Sequence, residues 1–508
     1  MEPPAMRFSR SSGVLLHPTS LPGPSGSGDF GPAAYHFVDW LVTAGQRLWQ
    51  LLPLGGIGAG HSPYMSTSAF AGNVLLIDLG ELQQRGWLKA DDLVADPAFA
   101  EQRIVFDKVV PYRMARLARA AQGFAATATS AQREAFETFC EDQHDWLHDY
   151  ALFMSLANQF EWADWSEWDT ALRLRNASAL HAATQAQASH LQFWKFCQWS
   201  FFRQWRALKA YANQRGVEII GDAPIFIACQ SAEVWARQEL FELDAHGRPQ
   251  VVAGVPPDAF SATGQRWGNP LYRWSAHAEE GFAWWVGRIR RTFELVDIVR
   301  IDHFRGFAAY WEIPASAPTA IEGCWRPAPG EALFKAIAKA LGPLPIIAED
   351  LGVITPDVVA LRKKFAFPGM RILQFAFGGK NDNPYLPHNF EADSVVYTGT
   401  HDNDTTLGWW ANADAGERRH ALSYLGSAGT EIHWDLMRAA AASVADTAVH
   451  PMQDVLGLGG KHRMNFPGRA EGYWEWRFSW AQVLPEHAQR LAELGVLYGR
   501  NPGAPRSL

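Results

Sequence analysis

Eight short apolar runs recur along the chain, separated by helix-like stretches, and this alternation constrains the fold more than any other feature. They are Gly13–His17, Leu48–Leu52, Val217–Asp222, Ile298–Asp302, Ile346–Glu349, Arg371–Phe375, Val395–Thr400 and Thr447–Pro451. Most are apolar throughout rather than strictly alternating, the pattern of parallel strands covered on both faces. The intervals carry helix signals. Leu191–Arg215 repeats aromatic residues at helical spacing and stops at Gly216, the expected C′ glycine. Phe282–Leu295 is amphipathic and feeds the run Ile298–Asp302. Eight βα units predict an α/β fold, a (β/α)8 TIM barrel with large insertions.

The second and third runs are separated by about 160 residues, far more than a βα loop needs. Val74–Leu79 reads as an extra strand, and residues 81–191 read as a helix-rich insertion subdomain. Residues 1–80 then begin the barrel and residues 192–508 complete it. Trp162, Trp165 and Trp168, spaced by three, read as a packing stripe on one helix. Long loops follow the third and fourth runs, at 228–274 and 314–330.

Composition excludes several partners. The chain has 45 Lys+Arg against 53 Asp+Glu, a net charge of −8 with no basic run, which argues against nucleic acid. No apolar stretch reaches the roughly 18 residues of a membrane span, and no secretory h-region follows the first ten residues. Cys140, Cys197, Cys229 and Cys324 are scattered, without zinc or disulfide spacing, and read as buried thiols in a reducing compartment. The expected location is the cytoplasm; nothing in the sequence specifies an oligomeric state. The 23 tryptophans suit a ligand with flat, weakly charged faces such as a sugar, although most serve a large core equally well.

Chemistry sits where the runs end. Asp222, Asp302, Glu349 and Asp402 each follow an apolar segment, at the C-terminal strand ends where barrel enzymes place their active sites. A carboxylate there is costly unless paired or functional, and four from separate strands converge on one face. Arg300, two residues before Asp302, points to the same side and keeps it ionised, which suits a nucleophile. Glu349 has no adjacent cation; its neighbour Asp350 and an apolar setting raise its pKa, which suits a general acid. His401 is placed to donate to a substrate hydroxyl. Two carboxylates of split pKa flanking one bond are the glycosidase pattern. The segment 254–274 adds Asp258, Phe260, Gln265, Trp267 and Asn269 as stacking faces and hydrogen-bonding groups. Asp302-His303 and His401-Asp402-Asn403-Asp404 also have the donor types of a metallohydrolase, but the paired-His spacing is absent, and no metal is expected.

These residues lie in motifs that resemble the amylomaltases, the 4-α-glucanotransferases of glycoside hydrolase family 77 in the α-amylase clan. The resemblance runs from GVLLHPTSLPGPSGSGDFG through HSPYMSTSAFAGN, GVPPDAFSATGQRWGNPLYRW, VRIDHFRGF, AEDLG and GTHDND to RMNFPG, nearly the whole chain. It implies Asp302 as nucleophile, Glu349 as acid/base and Asp402 as the third acid, which binds hydroxyls at the cleavage subsite. It further implies substrate-binding roles for Tyr64, Asp222, Arg300, His401 and Asn465. Asp258, Phe260, Gln265 and Trp267 would form an acceptor-side loop. The implied substrates are α-1,4-glucans as donor and acceptor, with glucose as acceptor or product, and no cofactor. Two positions depart from the family pattern: Tyr473 stands where Asn is common, and Ala259 where a larger residue is usual. A plain α-glucan hydrolase and an inactive glucan-binding protein are the alternative readings. Outside Trp267, the tryptophans read as packing, Trp474, Trp476 and Trp480 included.

Overall fold

The structure, a computed structural model, describes residues 8–257, 261–469 and 472–501. Eight strands form one parallel sheet: β1 (Ser11–Leu15), β2 (Leu48–Gln50), β3 (Glu218–Pro224), β4 (Ile298–Asp302), β5 (Ile346–Ala348), β6 (Gly369–Ile372), β7 (Ser394–Tyr397) and β8 (Thr447–Pro451). All eight expected strands are present, but the sixth lies earlier than expected: Gly369–Ile372 is the strand, and Leu373–Phe375 is a 3-10 turn. The order β6-β7-β8-β1-β2-β3-β4-β5 joins sequence neighbours and brings β8 back against β1, Ser11 opposite Thr447. One seam, between β5 and β6, lacks a ladder. It is bridged by Ala348 N–H donating to Pro368 O at 2.9 Å, and by Met370 N–H donating to the Asp350 carboxylate at 2.7 Å. Gly369 is required there, because a Cβ would lie 2.3 Å from an Asp350 oxygen. The sheet thereby curls into a nearly closed barrel.

The helix Ala188–Gln214 buries Trp194, Phe201 and Trp205 and ends before Gly216, whose φ of +73° lets the chain reverse into β3. Between β2 and β3 the chain is largely helical, with Phe106–Thr127, Ser130–Asp142, His144–Gln159 and Ala177–Ala186 as its main pieces. Its apolar residues Leu147 and Trp165 belong to the same continuous core as Val14 and Val299 of the barrel. Among the described residues no helix is long and apolar enough to cross a membrane.

Four local expectations fail. Val74–Leu79 is not a strand: Asn73 accepts from Leu75 N–H and starts a 3-10 turn, and Asp78 then caps the helix Leu79–Gln84. The three tryptophans do not share a helix. Trp162, at φ +63° and 57% exposed, follows the end of one, whereas Trp165 and Trp168 are buried around a 3-10 turn capped by Asp164. Cys324 is exposed, and only Cys197 is fully buried. Segment 254–274 is not loop throughout: its Gln265–Pro270 is a strand that pairs antiparallel with Val251–Val255. Ala309–Pro314 and Cys324–Pro327 extend it to four strands.

Candidate active site

The parallel register of β3 and β4 sets Asp222 opposite Arg300 and Pro224 opposite Asp302. Arg300 and Asp302, two apart on β4, project into the same space. Arg300 Nη1 donates to both Asp222 oxygens at 2.8 and 2.7 Å and to Asp302 Oδ1 at 2.9 Å. Asp222 and Arg300 side chains are almost wholly buried, while Asp302 keeps 27% of its side chain open. Burial works against the Arg300 cation, but Asp222 and Asp302 outweigh it and hold its pKa above the ordinary value. One buried guanidinium thus fixes two acids and leaves the outer one reachable.

Glu349 follows β5, where its N–H donates to Ile301 O at 3.0 Å and places it beside Asp302. Its Oε2 accepts from His303 N–H at 2.7 Å and its Oε1 from Leu351 N–H at 3.0 Å. Burial, followed by the charge of Asp302, pushes the Glu349 carboxyl up to about 8. The like charge is therefore Asp302, not the expected Asp350. Asp350 points away into the barrel seam, where it pairs with Arg362 at 3.2 Å. His303 sits at φ +50°, and this left-handed turn aims its amide at Glu349.

Tyr64 crosses the mouth from the other side, on a turn whose N–H groups include one capped by Ser62 at 3.2 Å. Its hydroxyl donates to Asp222 Oδ2 at 2.7 Å and lies 2.9 Å from His401 Nε2. Asp222 already accepts from Arg300 on both oxygens, so the single hydroxyl proton of Tyr64 goes to Asp222. The same oxygen then accepts from His401 Nε2–H. His401 Nε2 is also 3.3 Å from Asp402 Oδ2. Asp402 keeps 41% of its side chain open and accepts from Asn465 Nδ2 at 2.7 Å. Asp222, Arg300, Asp302, Tyr64, His401, Asp402 and Asn465 thus form one connected network. Glu349 joins it through the amide next to Asp302.

Gln265 and Trp267 lie on the hairpin strand Gln265–Pro270. Trp267 Nε1 donates to Gln265 Oε1 at 3.2 Å, and its ring meets His303 edge-on at 4.9 Å. Asn269 Nδ2 anchors the strand to Ile227 O at 3.0 Å, just past β3. The hairpin therefore stands next to the end of β4, which carries Asp302. Asp258 and Phe260 lie outside the described residues. Among the described residues no group of three or more His, Cys, Asp or Glu side chains is arranged to hold a metal ion.

Three contributors were not given their roles by sequence. Trp474, read as packing, sits 5.7 Å from the Tyr64 ring and 5.9 Å from the His401 ring, at φ +67°. Arg463 Nη2 donates to Asp402 O at 2.8 Å. His303 contributes its amide. Arg463 opens RMNFPG and Trp474 lies six residues past its end, so their nearness to Asn465 in the chain was the available signal; the backbone turn of His303 leaves none.

The family model described as 4-alpha-glucanotransferase matches residues 16–483. The 4-alpha-glucanotransferase of Thermus thermophilus is 52% identical over 494 residues, covering 96% of this chain and 98% of that protein. The 4-alpha-glucanotransferase of Synechocystis is 47% identical, covering 97% and 98%. The amylomaltase of Streptococcus agalactiae, solved in complex with acarbose, superposes with a TM-score of 0.94 at 38% identity, covering 97% of this chain and 99% of that one. A barrel with this set of strand-end acids and these relatives has one assignment: the chain belongs to the 4-alpha-glucanotransferase family.

Proposed function

We propose that this protein is an amylomaltase-type 4-α-glucanotransferase that moves α-1,4-glucan segments to the 4-hydroxyl of an acceptor glucan or of glucose. The observation that carries the reading is the split pair of acids: Asp302 held by Arg300, and Glu349 pushed up to about 8 beside it. Glu349 protonates the glycosidic oxygen as Asp302 attacks the anomeric carbon. The C–O bond breaks, the leaving glucan takes the proton, and a β-glucosyl ester forms on Asp302. Glu349, now a base, takes the proton of an acceptor 4-hydroxyl. That oxygen displaces Asp302 and restores the α-linkage.

Asp402, steadied by Asn465, and His401 bind hydroxyls of the ring at the cleavage point. The hairpin bearing Gln265 and Trp267, together with Asp258 and Phe260, receives the acceptor and shields the ester from water. The chemistry asks for no metal or organic cofactor. The location is the cytoplasm, with no membrane or nucleic-acid partner, and residues 81–191 form a helical subdomain. Incubation with maltotriose tests the reading. A ladder of longer oligomers plus glucose supports transfer; shorter sugars alone indicate the hydrolase, and unchanged maltotriose an inactive binding protein.

A further inference from the structure

Beside His401 the barrel mouth holds a small cavity of about 20 Å³. His17, Ser20, His401, Gln453, Met464 and Trp476 line it. A space this size exceeds the roughly 10–15 Å³ that one water needs. Two polar atoms of its wall residues, His17 Nδ1 and Trp476 Nε1, are buried without a hydrogen-bond partner. Both residues are more than nine-tenths buried, at 5% and 6% exposure. Buried polar atoms are rarely left unpaired, and two such residues sharing one cavity with His401 mark a site rather than a packing fault.

We propose that a single water molecule occupies this cavity, bridging Trp476 Nε1 and His17 Nδ1, and that through it His17 is a positioning residue for the imidazole of His401. The indole N–H only donates, so the water accepts there and turns a proton to His17. Burial, reinforced by the neighbouring His401, pushes the His17 pKa down to about 3, so a neutral acceptor nitrogen is available across the working pH range. The filled cavity then backs the ring whose Nε2 meets Tyr64 and Asp402. It also gives a task to the His of the N-terminal GVLLHPTSLPG segment, which touches none of the catalytic acids. The positioning role rests on the reading of His401 as a donor-site residue; the water itself does not.

The test has two arms on the full-length protein. A crystal structure at about 1.8 Å should show one water within about 3.2 Å of both atoms. A dry cavity, or protein partners on both atoms, overturns the proposal. In kinetics with maltotriose, Trp476→Phe keeps the ring and removes the donor. It should raise KM several-fold while kcat changes less than about two-fold. His17→Phe should do the same, the double variant should be no worse than either, and His17→Asn should restore much of the loss. Additive effects, or a wild-type KM in Trp476→Phe, overturn the positioning role. Should His17→Phe not fold, Trp476→Phe decides alone. A wild-type protein without transfer activity would sink the proposed function, whereas the water density would stand or fall independently.

Discussion

The backbone N–H of His303 donates to Glu349 Oε2 at 2.7 Å, so the residue after Asp302, the proposed nucleophile, holds Glu349, the proposed acid/base. This ties the two carboxylates together without a side chain between them. In the proposed mechanism Glu349 must carry its proton for the first step, and burial beside Asp302 pushes its carboxyl up to about 8.

Transfer should therefore fall on the alkaline side with a midpoint near pH 8, read from kcat/KM against pH. Glu349→Gln should lower kcat by roughly 10²–10⁴-fold with the fold intact. Between the unfolded value near 4.5 and about 8 the folded protein binds the extra proton, so the Glu349 contribution to stability is lost as pH rises through that window. The melting temperature of Glu349→Gln should thus gain on wild type from pH 5 to pH 8; a constant difference contradicts the raised pKa.

Arg300→Met should cost about 3–5 kcal/mol in denaturant unfolding, because Asp222 is left buried and uncompensated. Adding Asp222→Asn should recover much of that stability and none of the activity. Recovery of activity would mean that Arg300 does nothing for Asp302.

Trp474→Ala should raise KM for maltotriose about ten-fold, more than it lowers kcat, since Tyr64 and His401 lose the ring that braces both. Trp474→Phe should stay within a few-fold of wild type. Equal loss in both variants would mean that the indole N–H, not the ring, matters.

Trp267→Ala should weaken acceptor use. The measurement is the ratio of free glucose released by water to glucose transferred, with maltose as added acceptor. The ratio should rise several-fold, and an unchanged ratio would remove the hairpin from the acceptor side.

The barrel was legible because parallel strands buried on both faces must be apolar, and because each acid breaks such a run at its end. Arg300 and Asp302 were readable through the two-residue pleat. Val74–Leu79 misled because burial demands apolar residues without fixing their period; the capping side chains of Asn73 and Asp78 decide it locally. The hairpin strand Gln265–Pro270 is polar, and it becomes a strand only through Val251–Val255, itself paired with the distant Ala309–Pro314. Asp350 looked like a neighbour of Glu349 because it is adjacent in sequence, but the pleat sends it to the β5–β6 seam.

The covalent intermediate is the decisive species for this chemistry. Glu349→Gln, lacking the base for the second step, is incubated with an α-glucosyl fluoride, whose leaving group needs no acid. Intact mass and peptide mapping are then read. One glucosyl unit should appear on the peptide bearing Asp302. A glucosyl unit on another residue, or none while wild-type protein still performs transfer, would contradict Asp302 as the nucleophile.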